Sequence, residues 1–216
     1  VLGGGHVKGA GVTMRATSED KTDPKLLVAD IRAGFNFGSH LEAHWQQTDD
    51  SGNPVYAKDA GWSRSDLELE SHWSCGTYID RQMIADIKAR GFNAVRIPVT
   101  WYQHIYSVDE GDRRLGDSSL GGDGTPISTA ATDPLLRYHI DRAWMERVHE
   151  VVDWCLEQDL YVIINTHHEA FYERADMGTA YESIEPEFEA VWTQIATEFV
   201  GYDQRLIFEG LNEPHS

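Results

Sequence analysis

The sequence predicts an α/β fold assembled from parallel βαβ units. Three observations carry that expectation. Helix-periodic and strand-like segments alternate four times along the 216 residues. The strand-like runs are apolar at nearly every position, as strands covered by protein on both faces are. Long polar stretches follow strands rather than helices, which is where α/β proteins build their sites.

In "DPKLLVADIRAG", Asp23 is placed to cap a helix, Pro24 occupies the first turn, Leu27 and Ile31 share a face, and Gly34 is the expected terminator. The short strand "FNFG" follows. "TYIDRQMIADIKARG" repeats the form: Thr77 with Asp80 reads as a capping box, Ile79, Met83, Ile84 and Ile87 form a stripe, and Gly91 closes the helix. "NAVRIPVTW" is the second strand. The third unit runs from "IDRAWMERVHEVVDWCLEQ", with Trp144, Val148, Val151, Val152 and Cys155 at helical spacing, into "LYVIINTHH". The fourth runs from "EPEFEAVWTQIATEF", with Phe188, Val191, Trp192, Ile195 and Phe199, into "RLIFEGLNE". Residues 39–76 and 102–136 read as loops. Residues 1–23 read as an N-terminal extension to a body spanning 24–216.

Composition limits the partners. Thirty-six acidic against 18 basic side chains give a formal charge of -18, which repels nucleic acid and anionic lipid and favours an uncharged or cationic ligand. No apolar run approaches the ~18 residues of a membrane-crossing helix. Cys75 and Cys155 are too few for a disulfide framework and lack metal-ligand spacing, and Cys155 falls on an apolar stripe, which points to inert packing. The acidic stretch "DEGDRRLGDSSLGGDG" lacks the ligand spacing of an EF-hand and reads as a solvated loop.

Chemistry gathers at the strand ends. Arg96 lies within "VRIPV", with Val95, Ile97 and Val99 directed to the opposite face, and a guanidinium on such a strand calls for a carboxylate partner. His167 and His168 are adjacent; on a strand they point to opposite faces, so a polar-pocket role is favoured over joint metal ligation. Glu213, followed by Pro214, is expected to sit extended on the last rung of its strand, with Asn212 beside it, as a general acid. Glu209 lies about 13 Å earlier at ~3.3 Å per residue, too far to be its partner in a retaining carboxylate pair, which needs about 5–5.5 Å.

"GFNFGSHLEA", "GFNAVRIPVTW", "YVIINTHHE" and "IFEGLNEP" together resemble the first four strand motifs of glycoside hydrolase family 5, nearest subfamily 4, with the match running from about residue 24 to the end. The resemblance implies a (β/α)8 TIM barrel, of which this chain carries roughly the first four β/α units. Its site would lie at the C-terminal ends of the strands. It implies retaining, endo-acting hydrolysis of a β-1,4-glucan, with no cofactor and no metal. Glu213 resembles the acid/base and Asn212 the residue that binds the sugar 2-hydroxyl. Arg96 and His167 resemble the pair lining the cleavage subsite, the arginine bonded to the nucleophile. His168 and Asn36 match sugar-contacting positions. Ser39 and His40 depart from the Asn-Thr that often follows the first-strand glycine. Trp45, Trp62, Trp73 and Trp101 are candidates to stack on sugar rings.

The nucleophile implied by the family falls outside these residues, so the remaining half of a barrel, from the same polypeptide or another chain, is an expected partner alongside a β-glucan. Secretion is expected from family habit. Two alternatives remain open: a glucan-binding protein without turnover, and a metal-dependent barrel hydrolase using His167, His168 and Glu213.

Overall fold

The computed structural model describes residues 23–44, 46–48, 54–56, 69–107, 113–114, 135, 138–169 and 177–214. Four strands form a parallel sheet: β1 (Gly34–Asn36), β4 (Ala94–Ile97), β8 (Tyr161–Asn165) and β9 (Leu206–Glu209), in that order across the sheet. The helices α1 (Pro24–Asp30), α2 (Arg81–Ala89), α3 (Arg142–Glu157) and α4 (Met177–Glu198) precede these strands in turn. Each strand thus lies beside the next one in the chain, the neighbour order of half a (β/α)8 barrel.

The side chains divide by the strand period of two. On β4, Val95 and Ile97 are fully buried beneath the helices, while Arg96 faces the other way and is partly open. On β8, Val162 and Ile164 join the same core. Trp144, Val148, Val151, Val152 and Cys155 of α3 are completely buried against this face, and each large apolar side chain so placed stabilises by about 1.5–3 kcal/mol. Burial also pushes the Cys155 thiol up to about 12, as an inert packing residue requires. From α4, Val191 and Ile195 enter the core, joined by Phe199 just beyond the helix end, whereas Phe188 and Trp192 are half-buried.

Several local expectations are corrected. Asp23 caps α1 by accepting the Lys25 N–H at 2.9 Å, but the helix ends through an extended Ile31, and Gly34 opens β1 instead of closing α1. The cap of α2 is Asp80, whose carboxylate accepts the Met83 N–H at 2.8 Å; Thr77 belongs to the preceding turn, where its N–H bonds to the Ser74 carbonyl. Buried Ile79 and Ile84 then occupy the positions of a hydrophobic staple around that cap. Gly91, at φ +92°, closes α2 as expected, in a conformation that disfavours a side chain. Helix α4 begins at Met177, well before "EPEF", and contains Pro186 in its interior.

The two long polar segments are more than loop. The first contains the antiparallel pair β2 (Gln46–Thr48) and β3 (Pro54–Tyr56). The second contains β5 (Ile105–Ser107), paired antiparallel with both β6 (Arg113–Arg114) and β7 (His139–Ile140). Apart from β6, the acidic Gly-rich stretch lies outside the described residues, as do Trp45, Trp62 and most of the N-terminal extension.

Two side-chain networks fasten connections to this frame. Buried Asn93 accepts the Arg32 and Ala33 N–H groups at 2.9 and 3.1 Å and donates to the Asp30 carbonyl at 2.6 Å, tying the α1–β1 turn to β4. Fully buried Glu70 receives Arg147 of α3 through two contacts of 2.7 and 2.8 Å and also accepts the Ile79 N–H at 2.9 Å. The segment leading into α2 is thereby pinned to α3. No described helix is long and apolar enough to cross a membrane.

Candidate active site

The face of the sheet turned away from the helices is polar toward the C-terminal ends of its strands. The register sets Asn36 of β1 beside Arg96 of β4, and Asn165 of β8 beside Glu209 of β9. Ala94, Ile163 and Ile207 share this face with the four polar residues.

Arg96 is the centre of the arrangement. Its Nε donates to Glu209 Oε2 at 2.7 Å and its Nη2 to Glu209 Oε1 at 2.6 Å, a two-point contact. Nη2 also donates to Asn212 Oδ1 at 3.0 Å, and Nη1 donates to Asn36 Oδ1 at 3.0 Å. The carboxylate partner predicted for Arg96 is thus Glu209. Its bonds to Arg96 hold the Glu209 carboxyl below the usual carboxylate range, and the same contacts raise the guanidinium. With 26% and 32% of the two side chains exposed, water screens the pair, so it orients more than it stabilises.

Asn165, fully buried, fixes the next layer. Its Oδ1 accepts the Val99 N–H at 3.1 Å, and its Nδ2 donates to Glu209 Oε1 at 3.2 Å. The same Nδ2 lies 3.1 Å from His167 Nδ1. Since an amide nitrogen only donates, His167 Nδ1 accepts and the ring proton resides on Nε2. The backbone beyond β8 is threaded between neighbours: His167 N–H donates to the Val99 carbonyl at 2.9 Å, and the Thr166 carbonyl accepts the Asn212 N–H at 3.0 Å.

His168 diverges from the expectation of opposite faces. The strand ends at Asn165, and the rings of His167 and His168 lie 4.5 Å apart and nearly perpendicular. His168 also packs beside His44 at 4.7 Å and Trp73 at 5.6 Å. Trp73, 38% exposed, presents a flat apolar surface there. Trp101 does not: its ring is completely buried and its Nε1 donates to the Asn165 carbonyl at 2.9 Å, which leaves no face for a sugar and withdraws it from the candidate stacking residues.

Around β1, buried Glu42 accepts the N–H groups of Ser39 and His40, the latter at 2.9 Å, and so shapes the turn after the strand. Gly38 permits this approach, because a Cβ there would stand 3.2 Å from Asn36 Nδ2 and 3.4 Å from Glu42 Oε1. His40 directs its Nδ1 to the Gly38 carbonyl at 2.8 Å, within its own loop.

Glu213 departs from its predicted setting. Strand β9 ends at Glu209, and Glu213 is exposed with φ +41° rather than extended on a last rung. The preference that Pro214 imposes is overridden where the Asn212 N–H is drawn to Thr166. Asn36, Arg96, His167 and Asn212 converge as a group, with Glu213 one residue beyond Asn212. Among the described residues no three His, Cys, Asp or Glu side chains are placed to hold a metal ion, so His167, His168 and Glu213 do not assemble one.

Glu209, Asn165 and Glu42 were not singled out as site residues in sequence. The first two carry the signal that flagged Arg96, a polar side chain on an otherwise apolar strand, in "LIFE" and "YVIIN".

Comparison with known proteins gives a consistent outcome. The family model described as cellulase (glycosyl hydrolase family 5) matches residues 48–216. Endoglucanase B of Ruminococcus albus is 33% identical over 194 residues, covering 89% of this chain and 36% of that enzyme. A GH5-4 broad specificity endoglucanase from Ruminococcus flavefaciens superposes with a TM-score of 0.62 at 34% identity, covering 88% of this chain and 41% of that one. A family 5 lichenase mutant from Caldicellulosiruptor sp. F32, in complex with cellotetraose, gives 0.62 at 28% identity, covering 88% and 40%. The chain therefore spans well under half the length of these relatives. It belongs to the cellulase family, glycosyl hydrolase family 5.

Proposed function

We propose that the polypeptide carrying this segment is a retaining, endo-acting β-1,4-glucan hydrolase with Glu213 as general acid/base. The observation that carries this reading is the Arg96 hub, which gathers Asn36, Glu209 and Asn212 at the C-terminal ends of parallel strands beside His167. Family membership and the cellotetraose held by the similar lichenase support the substrate class. The net charge of -18 suits an uncharged polysaccharide.

In this mechanism a carboxylate from the other half of the barrel attacks the anomeric carbon. The glycosidic C–O bond breaks, its electron pair passes to the departing oxygen, and Glu213 protonates that oxygen. Glu213 then takes a proton from water, which displaces the enzyme carboxylate and restores the anomeric configuration. Among the described residues, Arg96 commits four of its five N–H groups, leaving one on Nη1 for that incoming carboxylate. His167 presents its Nε2 proton, and Asn212 contacts the 2-hydroxyl. Trp73 and His168 offer a platform for a further sugar unit. A polymeric substrate places the enzyme outside the cell, which assay of culture supernatant tests.

Proton NMR of the full-length protein acting on cellotetraose tests the reading: the β-anomer is expected as the first product. Initial α-anomer would exclude retention, and binding without hydrolysis would favour a glucan-binding protein.

A further inference from the structure

We propose that Glu209 is a positioning residue whose grip on Arg96 fixes the direction of the Asn212 amide, so that Asn212 meets the ligand as a hydrogen-bond donor. The inference rests on the hydrolase reading and deepens it.

Glu209 uses both carboxylate oxygens on Arg96, at 2.6 and 2.7 Å, and the planar fork allows little rotation once both contacts are made. The second N–H of Nη2 is then aimed at Asn212 Oδ1, 3.0 Å away. A flipped Asn212 amide would set N–H against N–H, so Oδ1 stays on the arginine and Nδ2 is turned to the cleft. The Asn212 backbone is separately anchored to Thr166, which leaves the amide rotation as the variable that Arg96 decides.

Glu209 is itself held. Asn165, buried and bonded to the Val99 N–H, donates to Oε1 at 3.2 Å. The relay therefore runs from the rigid end of β8 through Glu209 and Arg96 to Asn212. Glu209 also offsets the charge of Arg96. Among the described residues, the charged and titratable groups acting on that guanidinium are Glu42, Glu209 and Glu213, with His167 bordering Glu209.

The test compares Glu209→Gln and Glu209→Asp in the full-length protein, with Glu70→Gln as a control at an ion pair that shares no partner with Arg96 or Glu209. Glu209→Gln is expected to lower kcat/KM on cellotetraose about 10²-fold, the scale of a roughly 1 Å misplacement. It should also move both limbs of the pH–rate profile to lower pH, because the uncompensated arginine favours ionised carboxylates. Glu209→Asp, which keeps the charge, should restore the profile and part of the rate. Glu70→Gln should lower Tm without moving the profile. Wild-type kcat/KM and an unshifted profile in Glu209→Gln would overturn the proposal. Absence of glucan hydrolysis by the wild-type protein would instead sink the hydrolase reading. The crystal structure of Glu209→Gln then decides the relay: Arg96 unmoved and still bonded to Asn212 Oδ1 overturns it, and a turned Asn212 amide upholds it.

Discussion

Arg96 and Glu209 face one another through two hydrogen bonds of 2.6 and 2.7 Å, across strands that are separated in the sheet by β8. The contact explains how a cation is accommodated on a strand whose opposite face is wholly apolar. It also gives Glu209 a place in the site: both of its carboxylate oxygens are engaged by the arginine. Because Arg96 holds its folded-state pKa down, the interaction is present above the ordinary value of 4.5 and is lost as pH falls through the lowered one. A carbon-13 titration of Glu209 in the full-length protein should give a midpoint below 4.5, and Arg96→Met should bring it back up. A wild-type midpoint at or above 4.5 would contradict the pairing.

Stability should depend strongly on Glu70. Its carboxylate is fully buried and serves both Arg147 and the Ile79 N–H. Glu70→Ala would leave a largely buried guanidinium and a backbone donor without that acceptor, at a cost of about 3–5 kcal/mol. Urea unfolding of the full-length variant measures this, and a loss under about 1 kcal/mol would show the pair to be screened like a surface one.

A pH dependence should come from His104. Its ring is completely buried and stacked on Trp144 at 3.7 Å, and burial lowers its pKa from 6.5 to about 3. The unfolded chain binds this proton below about 6.5 and the folded chain does not, so stability falls as pH drops from 6.5 toward 3. The slope from this one group is about 1.4 kcal/mol per pH unit. His104→Phe keeps an aromatic ring against Trp144 and should flatten that part of the stability profile. An unchanged slope would contradict the assignment.

The two tryptophans beside the cleft should behave oppositely. Trp73→Ala, removing an exposed ring, should raise KM for cello-oligosaccharides with little change in Tm. Trp101→Phe, removing a fully buried indole and its bond to Asn165, should lower Tm by several degrees, since about 1 kcal/mol shifts a domain of this size by ~2–4 °C. Reversed effects would mean that Trp101, not Trp73, meets the sugar.

Much of the fold was legible because periodicity and burial agree. The α3 stripe from Trp144 to Cys155 and the strand "NAVRIPV" are such cases, with Arg96 standing out by violating the pattern. Local rules failed where two signals competed within a few residues. Thr77 and Asp80 both qualify as caps, and the choice falls to Asp80 because Ile79 must be buried just before it. Glu213 follows the extended rule for a residue before proline only until Asn212 is tied to Thr166. Trp101 looked like a sugar platform because sequence marks a strand end but not which side of it is covered. The pairing of Glu209 with Arg96, 113 residues apart, required the order of strands in the sheet.

The central claim is that Glu213 donates and then recovers the proton in glycoside hydrolysis. Its most direct test is the rate at which full-length Glu213→Gln hydrolyses cellotetraose, whose sugar leaving group needs protonation. The expected result is a fall of about 10²–10⁴-fold in kcat with the protein still folded and still binding the ligand. A rate equal to wild type would contradict it.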